Sequence, residues 1–356
     1  MDPAPTISVI MAAYRGAALV RETIASVQAQ TLGDWELIVV DDQSPDDTLA
    51  VLRSIVDRRI RVIAAERNMG PVHTRNRAFA VARGRYVAAL DQDDLCRPTR
   101  FARQVAWLDA NPATVAVATR AALLENGVVR SGPPPLTLSA GLLDWQLLLR
   151  NPLFWSSLMI RADVARRLDP FTRPENLYAE DFDLYHRLRA FGPIERIDDD
   201  LIDYRIHPGG VSTCFRQMMT ASAARVLAEI YAPLFGDDAG DIALLVTRHV
   251  NTGLPVADGA TLARLAQAIE TLFGWHLATA KPNPADEAIR YETSRLWWRL
   301  TRASVQAGVL QLGPAIARRT PLARLRHSGP AGLLLAGLIG RGRSLGLIAA
   351  NETVPA

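Results

Sequence analysis

Lysine is almost missing from this sequence: Lys281 is the only one among 40 basic residues, and arginine supplies the rest. Together with abundant alanine, that bias reads first as the mark of GC-rich coding. Arginine also suits planar, bidentate recognition of phosphate and carboxylate. Cysteine is scarce. Cys96 and Cys214 have no CxxC spacing, which excludes a disulfide framework or a zinc site and favours a reducing, cytoplasmic setting. No apolar run reaches the ~18–20 residues that a membrane-spanning helix needs. The opening MDPAPTISVIMAAY lacks a basic leader and its apolar run is strand-like, so it does not read as a signal peptide. Internal repeats and low-complexity tracts are also missing. Charge of either sign is not in excess: 40 basic residues face 37 acidic ones for a net +3, no footprint of a nucleic-acid partner.

What is present is a chain of 356 residues, 49% hydrophobic, enough for a sizeable core in one large domain or two. Its first part alternates period-2 and helical patterns. Strands are expected at Ile7–Met11, Trp35–Val40, Arg61–Ala65 and Tyr86–Leu90, with helices at Ala17–Gln30, Thr48–Val56 and Val72–Arg83 between them. That order implies an α/β fold, a mostly parallel sheet flanked by helices, with ligands at the carboxyl ends of the strands. Further helices are expected at Thr99–Asp109, Leu142–Arg150, from Asp163, and at Tyr178–Ala190, with strands at Thr114–Thr119, Leu158–Ile160 and Leu201–Ile206. Beyond about Cys214 strand signals fade. Helices are expected at Ala221–Leu234, Ile242–Val250, Leu262–Leu272 and Ala288–Leu300. The expected organisation is a domain over residues 1–215 and a helical region over 216–356, with the boundary near Thr213–Thr220.

Acidic residues occur at two of the strand ends. In VVDDQS, Asp41 and Asp42 can accept hydrogen bonds from a base or ribose, while Asp46 and Asp47 read as caps of the helix that follows. In YVAALDQDD, three carboxylates, Asp91, Asp93 and Asp94, share one short loop and repel each other. A hard cation relieves such repulsion and shares its shell with substrate phosphates; a solvated acidic turn is the alternative. In NMGPVHTRN a turn opens a helix whose N-terminus suits an anion, with Arg75 as support for a diphosphate; a plain turn and cap is the alternative. In AEDFDL, Glu180 and Asp181 open a helix. They are either dipole-favoured acids or include a general base.

In this order the motifs resemble the inverting family-two glycosyltransferases, whose fold is GT-A, a Rossmann-like sheet. SVIMAAYRG resembles their first strand and turn, VVDDQSPDDT the nucleotide-binding segment, ARGRYVAALDQDD the strand into the DXD-type motif, AEDFDLYHRL the helix carrying the base, and YRIHPGGVS the segment closing the catalytic domain. The resemblance covers roughly Ile7 to Ser212. It implies a nucleotide-sugar donor, a UDP-sugar by family habit, and a glycan or lipid-linked acceptor. It implies Mg²⁺ or Mn²⁺ as cofactor and a role in cell-surface glycan synthesis. By the same resemblance Asp41 and Asp42 meet the nucleobase and ribose, and Asp91 sits by the ribose. Asp93 ligates the metal with Asp94 in support. Asp181 is the catalytic base, with Glu180 and Asp183 as neighbours. Arg75 and Tyr14 are further substrate contacts, and His207 a second metal ligand. Arg15 departs from the asparagine common after that tyrosine. A sugar nucleotidyltransferase is a lesser alternative, since the AAYRGAALV loop has one glycine; a non-catalytic nucleotide-sugar-binding scaffold is another.

The helical region offers no catalytic motif. Trp297-Trp298, between Arg295 and Arg299, are expected to pack helices or to meet a partner. The basic stretch Arg318-Arg319 and Arg324 to His327, before the apolar Gly329 to Ile339, reads in two ways. It is either an amphipathic anchor on the inner face of a membrane or a buried terminal helix with a basic flank.

Overall fold

The computed structural model describes residues 3–132, 137–279 and 286–311. The chain divides into two compact units, one of residues 1–143 with 152–222, the other of 144–151 with 223–356.

The first unit is built on β1 (Ile7–Ala13), β2 (Trp35–Asp41), β3 (Ile60–Ala64) and β4 (Tyr86–Ala89), connected by helices α1 (Val20–Gln28), α2 (Thr48–Arg53) and α3 (Pro71–Ala80). These strands pair in parallel in the order β3-β2-β1-β4. β1 and β2 are apolar on both faces because helices cover both. Parallel pairing puts all their carboxyl ends at one edge: Ala13 is in register with Asp41, and Asp41 with Ala64. That edge gathers Tyr14, Asp41, Asp42 and the loop after β4.

Past β4 the sheet is mixed. It continues through β5 (Leu95–Cys96), β6 (Ala116–Glu125), β7 (Val128–Arg130), β8 (Met159–Arg161) and β9 (Ile194–Ile206), with α4 (Arg100–Ala110) and α5 (Ala140–Leu147) between. β8 runs antiparallel to β4 and β6, β6 and β9 are parallel, and β5 is antiparallel to β9. Several local expectations need correction. The helix from Asp163 is only one turn, α6 (Ala162–Ala165). The helix expected from Tyr178 begins later, as α7 (Glu180–Leu188), because Tyr178 takes φ 65°, outside the helical region. β9 starts at Ile194, not Leu201. Its run of aspartates hides the strand from periodicity, and arginines satisfy them: Arg196–Asp198 at 2.6 Å, Arg103–Asp199 at 2.5 Å and Arg120–Asp200 at 3.3 Å. The two-residue β5 and short β7 left no signal in the sequence. After β9 come α8 (Val211–Cys214) and α9 (Arg216–Phe235).

The second unit is helical: α10 (Ala239–Val246) running into a π-helical turn at Thr247–Asn251, α11 (Gly259–Thr279) and α12 (Asp286–Gln306). Trp145 meets Phe273 edge-on at 5.5 Å, the Tyr231 hydroxyl donates to the Leu148 carbonyl, and Trp297 is buried. Trp297 thus packs helices, as expected. No helix among the described residues is long and apolar enough to cross a membrane. The basic stretch from Arg318 and its apolar sequel lie outside the described residues.

Candidate active site

The two adjacent acids at the end of β2 do different work. Asp41 is 1% exposed; its Oδ2 accepts the Ser44 N–H at 3.1 Å, while its buried Oδ1 has no hydrogen-bond partner. Asp42 spends both oxygens on the chain, accepting the Met69 N–H at 2.9 Å and the Gly70 N–H at 2.8 Å. It therefore shapes the turn that opens α3. Gly70 sits there at φ 85°, ψ 165°, a conformation open to glycine alone. Asp46 accepts the Thr48 N–H at 3.2 Å at the start of α2. On the other side, Tyr14 and Gln92 bond reciprocally: the Tyr14 N–H donates to Gln92 Oε1 at 3.0 Å and Gln92 Nε2 donates to the Tyr14 carbonyl at 2.8 Å. The amide lies so close to Gly16 that a Cβ there would come within 2.1 Å of Gln92 Oε1. The Tyr14 ring itself is exposed, with the Arg15 guanidinium 5.4 Å from its centroid.

The acidic loop is pinned by β9. β5 pairs antiparallel with β9, Leu95 opposite Asp203, which brings the residues before β5 alongside those after Asp203. The Arg205 N–H donates to Asp94 Oδ1 at 2.9 Å, Arg205 Nε donates to the Asp93 carbonyl at 2.7 Å, and its Nη2 reaches Glu22 at 2.6 Å. His207 Nε2 then lies 2.8 Å from Asp93 Oδ2. Burial, then the charge of Asp91, pushes Asp93 above the usual carboxylate range against the pull of His207. Burial, then Asp93 and Asp91, pushes Asp94 well above it. Burial and mutual repulsion thus both disfavour the charged forms of Asp93 and Asp94.

Three carboxylates crowded on one loop fit a divalent cation in chemistry. Asp93 Oδ2 and His207 Nε2, 2.8 Å apart, are spaced much as two adjacent donors on a small octahedral ion, about 3 Å apart for bonds near 2.1 Å. No group of three or more His, Cys, Asp or Glu forms a metal cage among the described residues. Two protein donors nevertheless suit Mg²⁺, which keeps waters and takes substrate phosphates.

Arg75 joins this loop to α7. Its Nη2 donates to Asp91 Oδ1 at 2.7 Å and its Nη1 pairs with Glu180, while its guanidinium lies 4.8 Å from the Trp155 ring centroid. Burial disfavours the charge of Arg75, but Asp91 and Glu180 outweigh it and raise its pKa. The Asp91 N–H donates to Ser156 Oγ at 3.0 Å. Asn76, one residue on, clamps the segment leading to α7: its Oδ1 accepts the Thr172 N–H at 2.9 Å and its Nδ2 donates to the Thr172 carbonyl at 2.7 Å. α7 opens with Glu180, whose buried Oε2 lacks a hydrogen-bond partner, and Asp181, whose Oδ1 accepts the Phe182 N–H at 2.7 Å. Asp181 is half-buried and its charge acts on both Arg75 and Tyr185. Asp183 turns away into ion pairs with Arg187 at 2.9 Å and Arg173 at 3.3 Å.

The structure therefore brings Asp91, Arg75 and Glu180 into one chain of contacts, and Asp93 to His207 in another. It leaves Asp42 and Asp183 in supporting roles. Sequence reasoning passed over Arg205, Ser156, Trp155, Gln92 and Asn76. Arg205, Asn76 and Gln92 lie inside quoted motifs, yet nothing in a linear pattern says which backbone group or threonine each would reach.

The sequence profile of glycosyl transferase family 2 matches residues 8–149. The putative glycosyltransferase EpsE of Bacillus subtilis is 30% identical over 197 residues, 52% of this chain and 68% of that protein. The Escherichia coli UDP-Glc:alpha-D-GlcNAc-diphosphoundecaprenol beta-1,3-glucosyltransferase WfaP is 29% identical over 212 residues, 58% and 79% of the two chains. Other curated relatives match over 34% and 42% of their own length, and one over as little as 12%. Among solved structures, S. aureus TarS 1-349 in complex with UDP-GlcNAc superposes with TM-score 0.53 and 17% identity, covering 96% of this chain and 92% of that one. At that identity the likeness shows a shared fold.

Proposed function

The chain belongs to glycosyl transferase family 2, and from that premise we propose that its first unit transfers a sugar from a uridine-diphosphate donor to an acceptor hydroxyl with inversion. The observation that carries this reading is the Asp91–Arg75–Glu180 bridge, which ties the donor loop to the helix that bears Asp181. Asp41, with its unpartnered buried oxygen, accepts from the nucleoside, and Asp91 from the ribose. Asp93 and His207 would hold Mg²⁺ or Mn²⁺, which would supply positive charge to the departing diphosphate. Asp181 removes the proton of the acceptor hydroxyl. The acceptor oxygen forms its bond to the anomeric carbon as the bond from that carbon to the diphosphate oxygen breaks, on the opposite face. The nucleoside diphosphate departs with the bonding electrons, and no covalent sugar-enzyme bond forms.

A uridine donor is supported by the names of WfaP and of the TarS complex, and a lipid-linked glycan acceptor by that of WfaP. We take the protein to act in polysaccharide assembly as a cytoplasmic protein at the inner face of the membrane, a reading supported by the lipid-linked acceptor in the name of WfaP. A thermal-shift panel of nucleotide sugars with Mn²⁺ tests the donor, because a ligand of the folded state raises its melting temperature. A UDP-sugar is expected to give the largest shift, and no shift with any nucleotide sugar would falsify the reading.

A further inference from the structure

Almost every buried arginine of the first unit is neutralised by a carboxylate or saturated by carbonyl oxygens. In the second unit the half-buried Arg150 and the exposed Arg299 and Arg302 are neither. Arg150 is half-buried, and Arg295, Arg299 and Arg302 lie on α12 at positions one and two turns apart, hence on one face. Arg295 pairs with Glu292 at 2.7 Å. Among the described residues, Arg150, Arg299 and Arg302 have no ion pair and donate no side-chain hydrogen bond. The acid closest in effect, Glu292, is already taken by Arg295. Burial, then the charge of Arg299, lowers the pKa of Arg150, and burial, then Arg295, lowers that of Arg299. Arg295, Arg299 and Arg302 are exposed on that face, so like charges gather where an anion from outside can reach and neutralise them.

We propose that this face of the second unit is a phosphate-binding surface that holds the chain on anionic phospholipid headgroups. The stripe from Arg295 to Arg302 runs about 10 Å along the helix, longer than a single phosphate. Trp298, three positions after Arg295, shares the face and is half-buried. A side chain with an apolar body and a polar tip beside guanidinium groups suits the headgroup layer. The inference deepens the inner-face reading above and is independent of sugar transfer. It also names a surface other than the basic stretch from Arg318.

The full chain tests it, by co-sedimentation with phosphatidylcholine vesicles with and without phosphatidylglycerol. Binding is expected to the anionic vesicles alone and to fall with salt. The double variant Arg299→Gln, Arg302→Gln should weaken it by roughly tenfold or more, and Trp298→Phe less. The double variant should melt no lower than the parent, which excludes misfolding as the cause, and its UDP-sugar hydrolysis should be unchanged. Parental vesicle binding by the double variant overturns the proposal, because the stretch from Arg318 is intact in it. Inorganic pyrophosphate binding as tightly as the vesicles and displacing them overturns the lipid as source, leaving a site for free phosphate.

Discussion

Arginine is handled in opposite ways at α3 and at α12. Arg75 is enclosed by Asp91, Glu180 and the Trp155 ring; Arg299 stands among other arginines. An enclosed cation paired with two carboxylates holds those groups in place, though the buried Arg75 Nε keeps one N–H unpartnered. An unneutralised cation keeps its valence for something outside the fold. The same contrast separates neighbouring acids. Asp42 is consumed by two backbone amides, whereas Asp41 keeps one oxygen unpartnered in the buried end of β2.

The contrast can be broken by substitution. The largest expected effect is at Asp181, where Asn should lower the transfer rate about 10²- to 10⁴-fold while leaving donor affinity within a few-fold of the parent, measured by initial rates and calorimetry. Next is Arg75→Ala, which leaves Glu180 buried without its cation. A loss of about 3–5 kcal/mol is expected for breaking such a pair, read from denaturant unfolding. Arg75→Lys should recover part of it, since a point charge cannot span two carboxylates. If Arg75→Ala unfolds at the parental midpoint, enclosed arginines are not struts. Asp93→Ala should abolish the Mn²⁺-dependent gain in donor affinity, compared in calorimetry with and without EDTA. Asp42→Asn should cost about 2 kcal/mol of stability through one lost charge-assisted bond, whereas Asp41→Asn should chiefly weaken the donor. Equal effects of the two on nucleotide affinity would erase the distinction drawn between them. The smallest effect is at Arg299→Gln, expected to stay within ~0.5 kcal/mol of the parent, with the sign toward greater stability.

The sequence made the parallel half of the sheet legible because β1, β2 and β4 are short apolar runs ending in turn residues, and acids at their ends are conspicuous. The later half was less legible. β9 is a strand whose aspartates are balanced by arginines from β6, α4 and β9 itself, and charge of that density reads as loop. The division of labour between Asp41 and Asp42 was illegible for another reason. It depends on where Met69 and Gly70 come to lie, which no pattern in VVDDQS encodes. Arg75 was noticed as a cation near a helix N-terminus, but its partners are residues 91 and 180, brought together only by the closed fold. His207 was singled out by resemblance, and β5 supplies the physical reason it reaches Asp93: two residues of antiparallel pairing fix the register.

That two-residue strand has a consequence for synthesis. The family profile ends at residue 149, and by then a ribosome has delivered the whole acidic loop with none of its late partners. The charges of Asp91, Asp93 and Asp94 wait for Glu180 to share Arg75, and for β9 to bring Arg205 and His207. A nascent chain stopped short of residue 207 can fold its parallel strands, whose contacts are closer in sequence. It cannot finish the loop between β4 and β5. The acidic loop is thus completed by nearly the last residues of its unit to be made.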